Sequence, residues 1–427
     1  MKLIHRFFWV NLISLLYACL SFWFAQWWIN NLTLIFGNYY LSLAIVLFVA
    51  IIPGYLNIML LASLLFNRYE PVKMKDKQYP PINLLMATYN EEDVIRETFR
   101  GIRQQHYPNK IDVIVVDDGS TDETVEILKK LKFDNLKIVN ASHGGKAKAL
   151  NEGLKHCHHE VIVTIDADTF LHKIAVKRIV ARLISRVDYA AVAGHILVKN
   201  ERLSRLARIQ SWDYMLGITA AKVQQGLFEG TLVAQGAFSV FRKEALTELK
   251  GWKDRIGEDI VLTWALLERG YQVGYEPAAF AFTNAPLNFE RFSRQRQRWA
   301  RGMIEGFKDH ISIIWYGKRY SSFFIALDLL FPFIDFFYAF CFIPGLILAC
   351  FGYYYIVGLM TILVIPINVA IITTILLTQR RFLRYAGLKV RYNPIGILYY
   401  ILFYQIIMAP ICVIGYFKEI FRFRRRW

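Results

Sequence analysis

Apolar residues are spread unevenly along this chain. Phe7 to Trp28 and Leu41 to Phe66 are long apolar runs near one end, and Phe323 to Phe351, Tyr353 to Leu377 and Ile395 to Tyr416 are three more near the other. At about 1.5 Å per residue in a helix, each is long enough to cross a hydrocarbon core of roughly 30 Å. Between them, from Asn67 to about Tyr320, charges are frequent and the stretch is expected to fold in water. There, Ile82 to Ala87, Asp112 to Val116, Leu136 to Val139 and Val161 to Ile165 are short apolar runs, each followed by a charged amphipathic stretch. Strands buried on both faces and alternating with helices predict a parallel sheet, in which ligands bind beyond the carboxyl ends of the strands.

Composition sharpens this picture. The 427 residues are 55% hydrophobic and 20% charged, with a net charge of +17. That excludes a disordered chain, a collagen and a disulfide-stapled secreted domain. The five cysteines have no ligand spacing and read as packed or lipid-facing bystanders. Basic residues flank the apolar runs, so the charge reports membrane topology and no nucleic-acid partner is expected. The first run is too long for a cleaved signal peptide, and no small-residue cleavage site precedes Asn30. With Lys2 and Arg6 inside, two crossings return the chain to the cytoplasm. The basic loop with Arg380, Arg381, Arg384, Lys389 and Arg391 fits that side. A fifth crossing would put the tail Arg422, Arg424, Arg425 and Arg426 outside, so either one C-terminal run is re-entrant or the tail breaks the rule. Pro332, Pro344, Pro366 and Pro410, with Asp328 and Asp335, predict helices that are not plain lipid-facing rods.

Candidate chemistry collects at the strand ends. The first strand is followed by Thr88-Tyr89-Asn90-Glu91-Glu92-Asp93 and the second by Asp117-Asp118-Gly119-Ser120, while the fourth ends in Asp166-Ala167-Asp168. Ser120 with Glu123 has the pattern of a capping box. So many carboxylates on one sheet edge would repel one another without a cation. In an extended segment Asp166 and Asp168 point the same way, and paired hard oxygens suit Mg²⁺ or Mn²⁺, which would also bind a diphosphate. Gly144-Gly145-Lys146 precedes a helix through Cys157, a cationic N-terminus suited to an anionic or polar ligand. Glu258 and Asp259 open a helix that stops at Gly270, and a helix N-terminus keeps a carboxylate ionised, as a general base requires. From Asn288 to Asp309, Phe289, Phe292, Trp299, Met303 and Phe307 mix with five arginines, which predicts a helix lying on the membrane surface with its arginines snorkelling. Gln295 and Trp299 share a face of it and Arg298 borders that face. His156, Cys157, His158 and His159 are consecutive, cannot wrap one ion, and read as the polar end of a helix.

In this order, Thr88-Tyr89-Asn90-Glu91, Asp117-Asp118-Gly119-Ser120, Gly145-Lys146-Ala147, Asp166-Ala167-Asp168, Gly257-Glu258-Asp259 and Gln295-Arg296-Gln297-Arg298-Trp299 resemble the motifs of the inverting, processive family 2 membrane glycosyltransferases, which include cellulose, hyaluronan and chitin-oligosaccharide synthases. The Gly-Glu-Asp-Ile, Gln-Arg-Gln-Arg-Trp and Gly-Ala-Phe-Ser segments look most like those of bacterial poly-β-1,6-N-acetylglucosamine synthases. The resemblance implies an α/β GT-A domain, Rossmann-like and mostly parallel, embedded between transmembrane and interfacial helices. Its expected divisions are residues 1–68 (two transmembrane helices), 69–285 (catalytic domain), 286–322 (interfacial helices) and 323–427 (C-terminal transmembrane helices and basic tail).

The resemblance also implies roles. Thr88, Glu91, Asp118 and Lys146, with Tyr89 in the first motif, would bind the nucleotide. Asp166 and Asp168 would hold it and its metal, Asp168 being the direct ligand. Asp259, beside Glu258, would be the catalytic base. Gln295, Arg298 and Trp299 would close over the diphosphate and the acceptor sugar. Gly257 stands where many relatives have Thr, and His195 lies on the acceptor side at a position where relatives vary. The implied substrates are a UDP-sugar, UDP-N-acetylglucosamine first, and a growing polysaccharide. The implied setting is a bacterial cell membrane, with the catalytic domain in the cytoplasm and a small two-helix membrane subunit as partner; some relatives need cyclic di-GMP. Hyaluronan or another β-glycan, a single sugar loaded on a lipid carrier, and a transporter with a degenerate nucleotide domain are the competing readings.

Overall fold

The computed structural model describes residues 2–67, 69–228, 230–317, 319–388 and 394–423. Lys389, Arg391 and the tail Arg424, Arg425 and Arg426 lie outside them. At its centre is an eight-stranded sheet in the order β3-β2-β1-β4-β7-β6-β8-β5. The strands are β1 (Ile82–Thr88), β2 (Ile111–Asp117), β3 (Leu136–Asn140), β4 (Val161–Asp166), β5 (Phe170–Leu171), β6 (Tyr189–Val198), β7 (Phe238–Arg242) and β8 (Gln272–Thr283). The first four pair in parallel, with Thr88 opposite Asp117 and Ala87 opposite Asp166. The acidic segments that follow β1, β2 and β4 therefore leave the sheet at one edge, as the sequence predicts. β7 runs antiparallel to β4 and starts at the same edge, where Phe238 pairs with Ile165. Their apolar sequences follow from position: Leu84, Leu85, Met86, Val113, Val115 and Val163 are all fully buried.

Among the described residues, four helices are long and apolar enough to cross a membrane: Leu3–Phe24, Tyr39–Phe66, Tyr320–Cys350 and Ile395–Ile420. Two of them contain a π turn, Leu47–Ile51 and Tyr338–Phe342, and each turn ends two residues before a proline, Pro53 and Pro344. A proline has no N–H for the carbonyl four residues back, and widening the preceding turn absorbs that loss. The helix Leu359–Tyr385 ends against the helix Ala175–Ile184, where Arg178 Nη2 donates to the Tyr385 carbonyl at 2.7 Å.

The helix Phe289–His310 departs from expectation at two of its five arginines: Arg291, Arg294 and Arg298 are exposed, and the other two are not. Arg296 and Arg301 are buried, and they pair with Asp213 at 2.8 Å and Glu419 at 3.0 Å. The reason is that both flanks of this helix are covered. On one side lies Glu258–Glu268: Gly257 N donates to Glu305 at 3.0 Å, and His310 contacts Glu268 at 2.7 Å. On the other lies the C-terminal helix Pro394–Ile420, whose Tyr404 and Ile411 pack with Phe292 while Glu419 meets Arg301 and Lys308. Both halves of the C-terminal helix thus touch the helix Phe289–His310.

Gly257 and Gly302 make the closest approach in this layer. A Cβ on Gly257 would fall 2.5 Å from Gly302 Cα, which explains why the residue before the Glu-Asp pair is glycine here. We expect Gly302→Val to cost about 1–3 kcal/mol through overpacking, read as a lower thermal midpoint of the detergent-solubilised protein.

Candidate active site

The loops after β1 and β2 are laced to each other. Asn90 N donates to Ser120 Oγ at 2.9 Å, Glu91 N to Thr124 Oγ1 at 2.8 Å and Glu123 N to Glu92 at 2.8 Å. The expected capping box does not form: the helix begins at Thr124 with no side-chain cap, because the Ser120 hydroxyl is engaged by the neighbouring loop. Asp117 instead accepts from Gly119 N and Ser120 N at 3.2 and 3.1 Å, closing a turn in which Gly119 takes φ +80°. Asp118 is buried and accepts from Gly144 N and Gly145 N at 2.8 and 2.9 Å, so it shapes the glycine loop. Above it the exposed Tyr89 ring lies 4.6 Å from the ring of His143. The buried Thr88 hydroxyl has no hydrogen-bond partner among the described residues.

The acids converge around one ammonium group. Lys146 Nζ lies 2.5 Å from Asp166 Oδ1 and 3.4 Å from Glu258 Oε1. Burial opposes its charge, but Asp166 and Glu258 outweigh burial and raise its pKa. The resemblance puts Lys146 in the uridine pocket; the structure sets its ammonium between the β4 acid and the first turn of the helix Glu258–Glu268. Asp168 is not in an extended pair with Asp166, because β4 ends at Asp166 and Asp168 lies in the turn beyond it. Burial, then the Asp166 charge, push its pKa to about 6, and Thr283 Oγ1 donates to it at 3.2 Å. Burial, with the Asp168 and Asp166 charges, takes Glu91 to about 7. Burial raises Glu258 as well, and Asp259 adds to it against Lys146. Hard oxygens this crowded fit a divalent cation.

Asp259 sits in the first turn of its helix, where Oδ1 accepts from Ile260 N at 2.9 Å and Oδ2 from Gly236 N at 3.3 Å. Thr263 holds the same loop by accepting from Ala234 N at 2.8 Å. Lys222, which the sequence reading did not single out, donates to the Val233 carbonyl of that loop. Burial lowers its pKa to about 7, and Asp259 pulls the other way. Nothing in its local sequence marks it. His195 is buried with Nδ1 at 2.8 Å from the Pro277 carbonyl, and burial takes it to about 4, as suits a neutral packing residue.

From the helix Phe289–His310, Gln295 lines an open groove of ≈ 680 Å³ together with Asp93, Asn200, Asn284, Asn288 and Arg291. That places its N-terminal turns across the groove from Asp93, in the segment after β1. Arg298 is exposed, and Trp299 is half-buried with its ring 6.2 Å from that of Tyr214. The charges of Asp168 and Arg298 both reach Tyr214. His158 and His159 converge, at 3.0 and 2.7 Å, on Asp112 Oδ2 at the opposite end of the sheet. With Lys110 at 2.9 Å from the same carboxylate, they form a polar cluster, and Asp112 brings the two histidines a third ligand atom, all within 4.8 Å of one another, that their consecutive placement alone did not offer.

Residues 84–250 match the family described as Glycosyl transferase family 2. Over 240 residues, 56% of this chain, the sequence is 34% identical to poly-beta-1,6-N-acetyl-D-glucosamine synthase of Staphylococcus epidermidis, and the match spans 58% of that relative. The protein of the same name from Staphylococcus aureus strain MSSA476 is 33% identical over 224 residues, 52% of this chain and 54% of the relative. The chain therefore spans little more than half the length of these relatives. In three dimensions it resembles mannosyltransferase PcManGT from Pyrobaculum calidifontis, solved with GDP-Man and Mn²⁺, with a TM-score of 0.63 and 20% identity over 89% of this chain and 99% of that one. Residues 84–250 thus match a family 2 glycosyltransferase domain, and the fold around them is GT-A.

The crowding of the acids is testable through pH. A carboxyl raised from 3.8 to about 6 by folding contributes stability that is present below 3.8 and lost as pH climbs through 6. In chelator, Asp168→Asn is expected to melt above the unmodified protein at pH 7.5, with the gap closing toward pH 4. Added Mn²⁺ should raise the unmodified protein and not the variant.

Proposed function

We propose that this protein is an inverting, processive glycosyltransferase that polymerises N-acetylglucosamine from UDP-N-acetylglucosamine into a β-linked, β-1,6 exopolysaccharide and passes it across a bacterial cell membrane. The observation that carries the reading is the single edge of the sheet on which the Asp118 loop, Asp166, Asp168 and the Asp259 helix meet. The relatives named above supply the sugar and the linkage. The apolar helices on either side support a membrane setting. The C-terminal helix packs both on the helix Phe289–His310, through Tyr404, Ile411 and Glu419, and on the candidate span Tyr320–Cys350, where Gln405 and Tyr416 donate to Asp335.

In this reading Thr88, Tyr89, Glu91 and Asp118 receive the uridine. A divalent ion held by Asp168 and Asp166 would supply positive charge to the leaving diphosphate. Lys146, already paired with Asp166, and the exposed Arg298 add cationic donors on the protein's own account. Asp259 takes the proton of the acceptor hydroxyl as its oxygen attacks the anomeric carbon and the bond to UDP breaks. With one base and no second nucleophile, a single displacement inverts that carbon. Two backbone N–H groups, from Ile260 and Gly236, aim the Asp259 carboxylate. Trp299 offers an apolar platform for the acceptor sugar, and Gln295 borders the groove beside it.

Purified protein incubated with separate radiolabelled UDP-sugars and Mg²⁺ or Mn²⁺, then treated with linkage-specific glycosidases, tests the reading. High polymer from UDP-N-acetylglucosamine, cleaved by a β-1,6-specific enzyme, is expected. A single glycolipid, or polymer from another donor, contradicts it. Asp259→Asn should lower transfer by about 10²–10⁴-fold while UDP binding persists in equilibrium titration.

A further inference from the structure

The first arginine of the Gln-Arg-Gln-Arg-Trp segment has no part in the scheme above, yet it is the most deeply enclosed of the five on its helix. Arg296 is 2% exposed and Asp213 7%. Their ion pair measures 2.8 Å. The guanidinium carbon lies 4.1 Å from the centre of the Trp299 ring, 5.2 Å from that of Phe292 and 5.8 Å from that of Tyr214. A buried pair of this kind adds little net stability over an apolar substitute, so its use lies in the geometry it fixes.

Three elements build the socket. Asp213 opens the π turn Asp213–Ile218, a widened turn that re-aims its side chains. The same turn holds Gly217, where a Cβ would lie 3.0 Å from Asp213 Oδ1 and 3.3 Å from the Tyr400 hydroxyl of the C-terminal helix. Tyr400 stacks on Tyr404 at 4.9 Å, and Tyr404 packs with Phe292. The charged pair is therefore closed off by a helix apolar enough to enter a membrane. A planar guanidinium held by the Asp213 charge, without an aligned hydrogen bond to it, and lying against the indole restricts the tilt of that ring.

We propose that Arg296 is the positioning residue for Trp299: the Asp213–Arg296 pair, capped by the C-terminal helix, sets the plane on which the acceptor sugar rests. The proposal depends on the reading of Trp299 as acceptor platform. When the platform tilts, water competes with the acceptor hydroxyl. The same anomeric bond to UDP breaks, the new bond forms to a water oxygen whose proton goes to the base, and the products are UDP and free sugar.

The test measures, on full-length protein with labelled UDP-N-acetylglucosamine, total UDP release, label in polymer and label as free sugar. Arg296→Lys keeps the charge and removes the planar fork. It is expected to raise the free-sugar share several-fold with the donor KM unchanged. Asp213→Asn should do the same from the other side, and answers alone if the lysine variant does not fold. Trp299→Ala should raise the share as well, and adding Arg296→Lys to it should add nothing further. If Trp299→Ala raises the free-sugar share while Arg296→Lys and Asp213→Asn leave it unchanged, the positioning proposal is overturned and the platform stands. If Trp299→Ala itself leaves the share unchanged, the platform reading falls, and the proposal with it.

Discussion

Like charges brought to one place must be paid for, and the acidic edge of the central sheet depends on how that is done. Parallel pairing of β1, β2 and β4 delivers acids to one line of strand ends whether or not they repel. The protein meets the repulsion in three ways. Backbone N–H groups absorb Asp117 and Asp118. Lys146 is drawn in between Asp166 and Glu258. Asp168 and Glu91 are left with raised proton affinity, the state in which a divalent cation gains most by entering.

A second constraint is the shared helix Phe289–His310. It touches the helix that carries Asp259 through backbone against backbone at Gly257 and Gly302, and it touches the C-terminal helix through Glu419 and Tyr404. One helix thus spans from the Asp259 helix to the C-terminal helix. The C-terminal helix thereby packs around Arg296, which lies against Trp299.

Much of this was legible in the sequence because the signals were local. β1, β2 and β4 are apolar on both faces, so their limits and their acidic ends could be read directly, and Asn288 announced the start of its helix by capping Arg291 N at 2.9 Å. What failed depended on partners distant in the chain. The Ser120 capping box looked sound until Asn90 claimed the hydroxyl. Alternation placed Asp166 and Asp168 side by side, but the strand stops between them. Arg296 and Arg301 read as snorkelling because Asp213 and Glu419, which pair with them in the interior, lie 83 and 118 residues away. Lys222 and Glu305 carried no signal, since nothing beside them in sequence marks what they face. Asp112 came to His158 and His159 only through the fold.

The central claim is that the acids at the strand ends form one cation site facing the base. The most direct measurement is the anomalous-scattering map of crystals of the full-length protein grown with UDP and Mn²⁺. The account predicts a manganese peak in contact with Asp168 and Asp166, with the diphosphate on the side of Lys146 and Arg298. A peak at Asp112, His158 and His159 with none at the strand ends, or UDP bound away from Asp118, would contradict it.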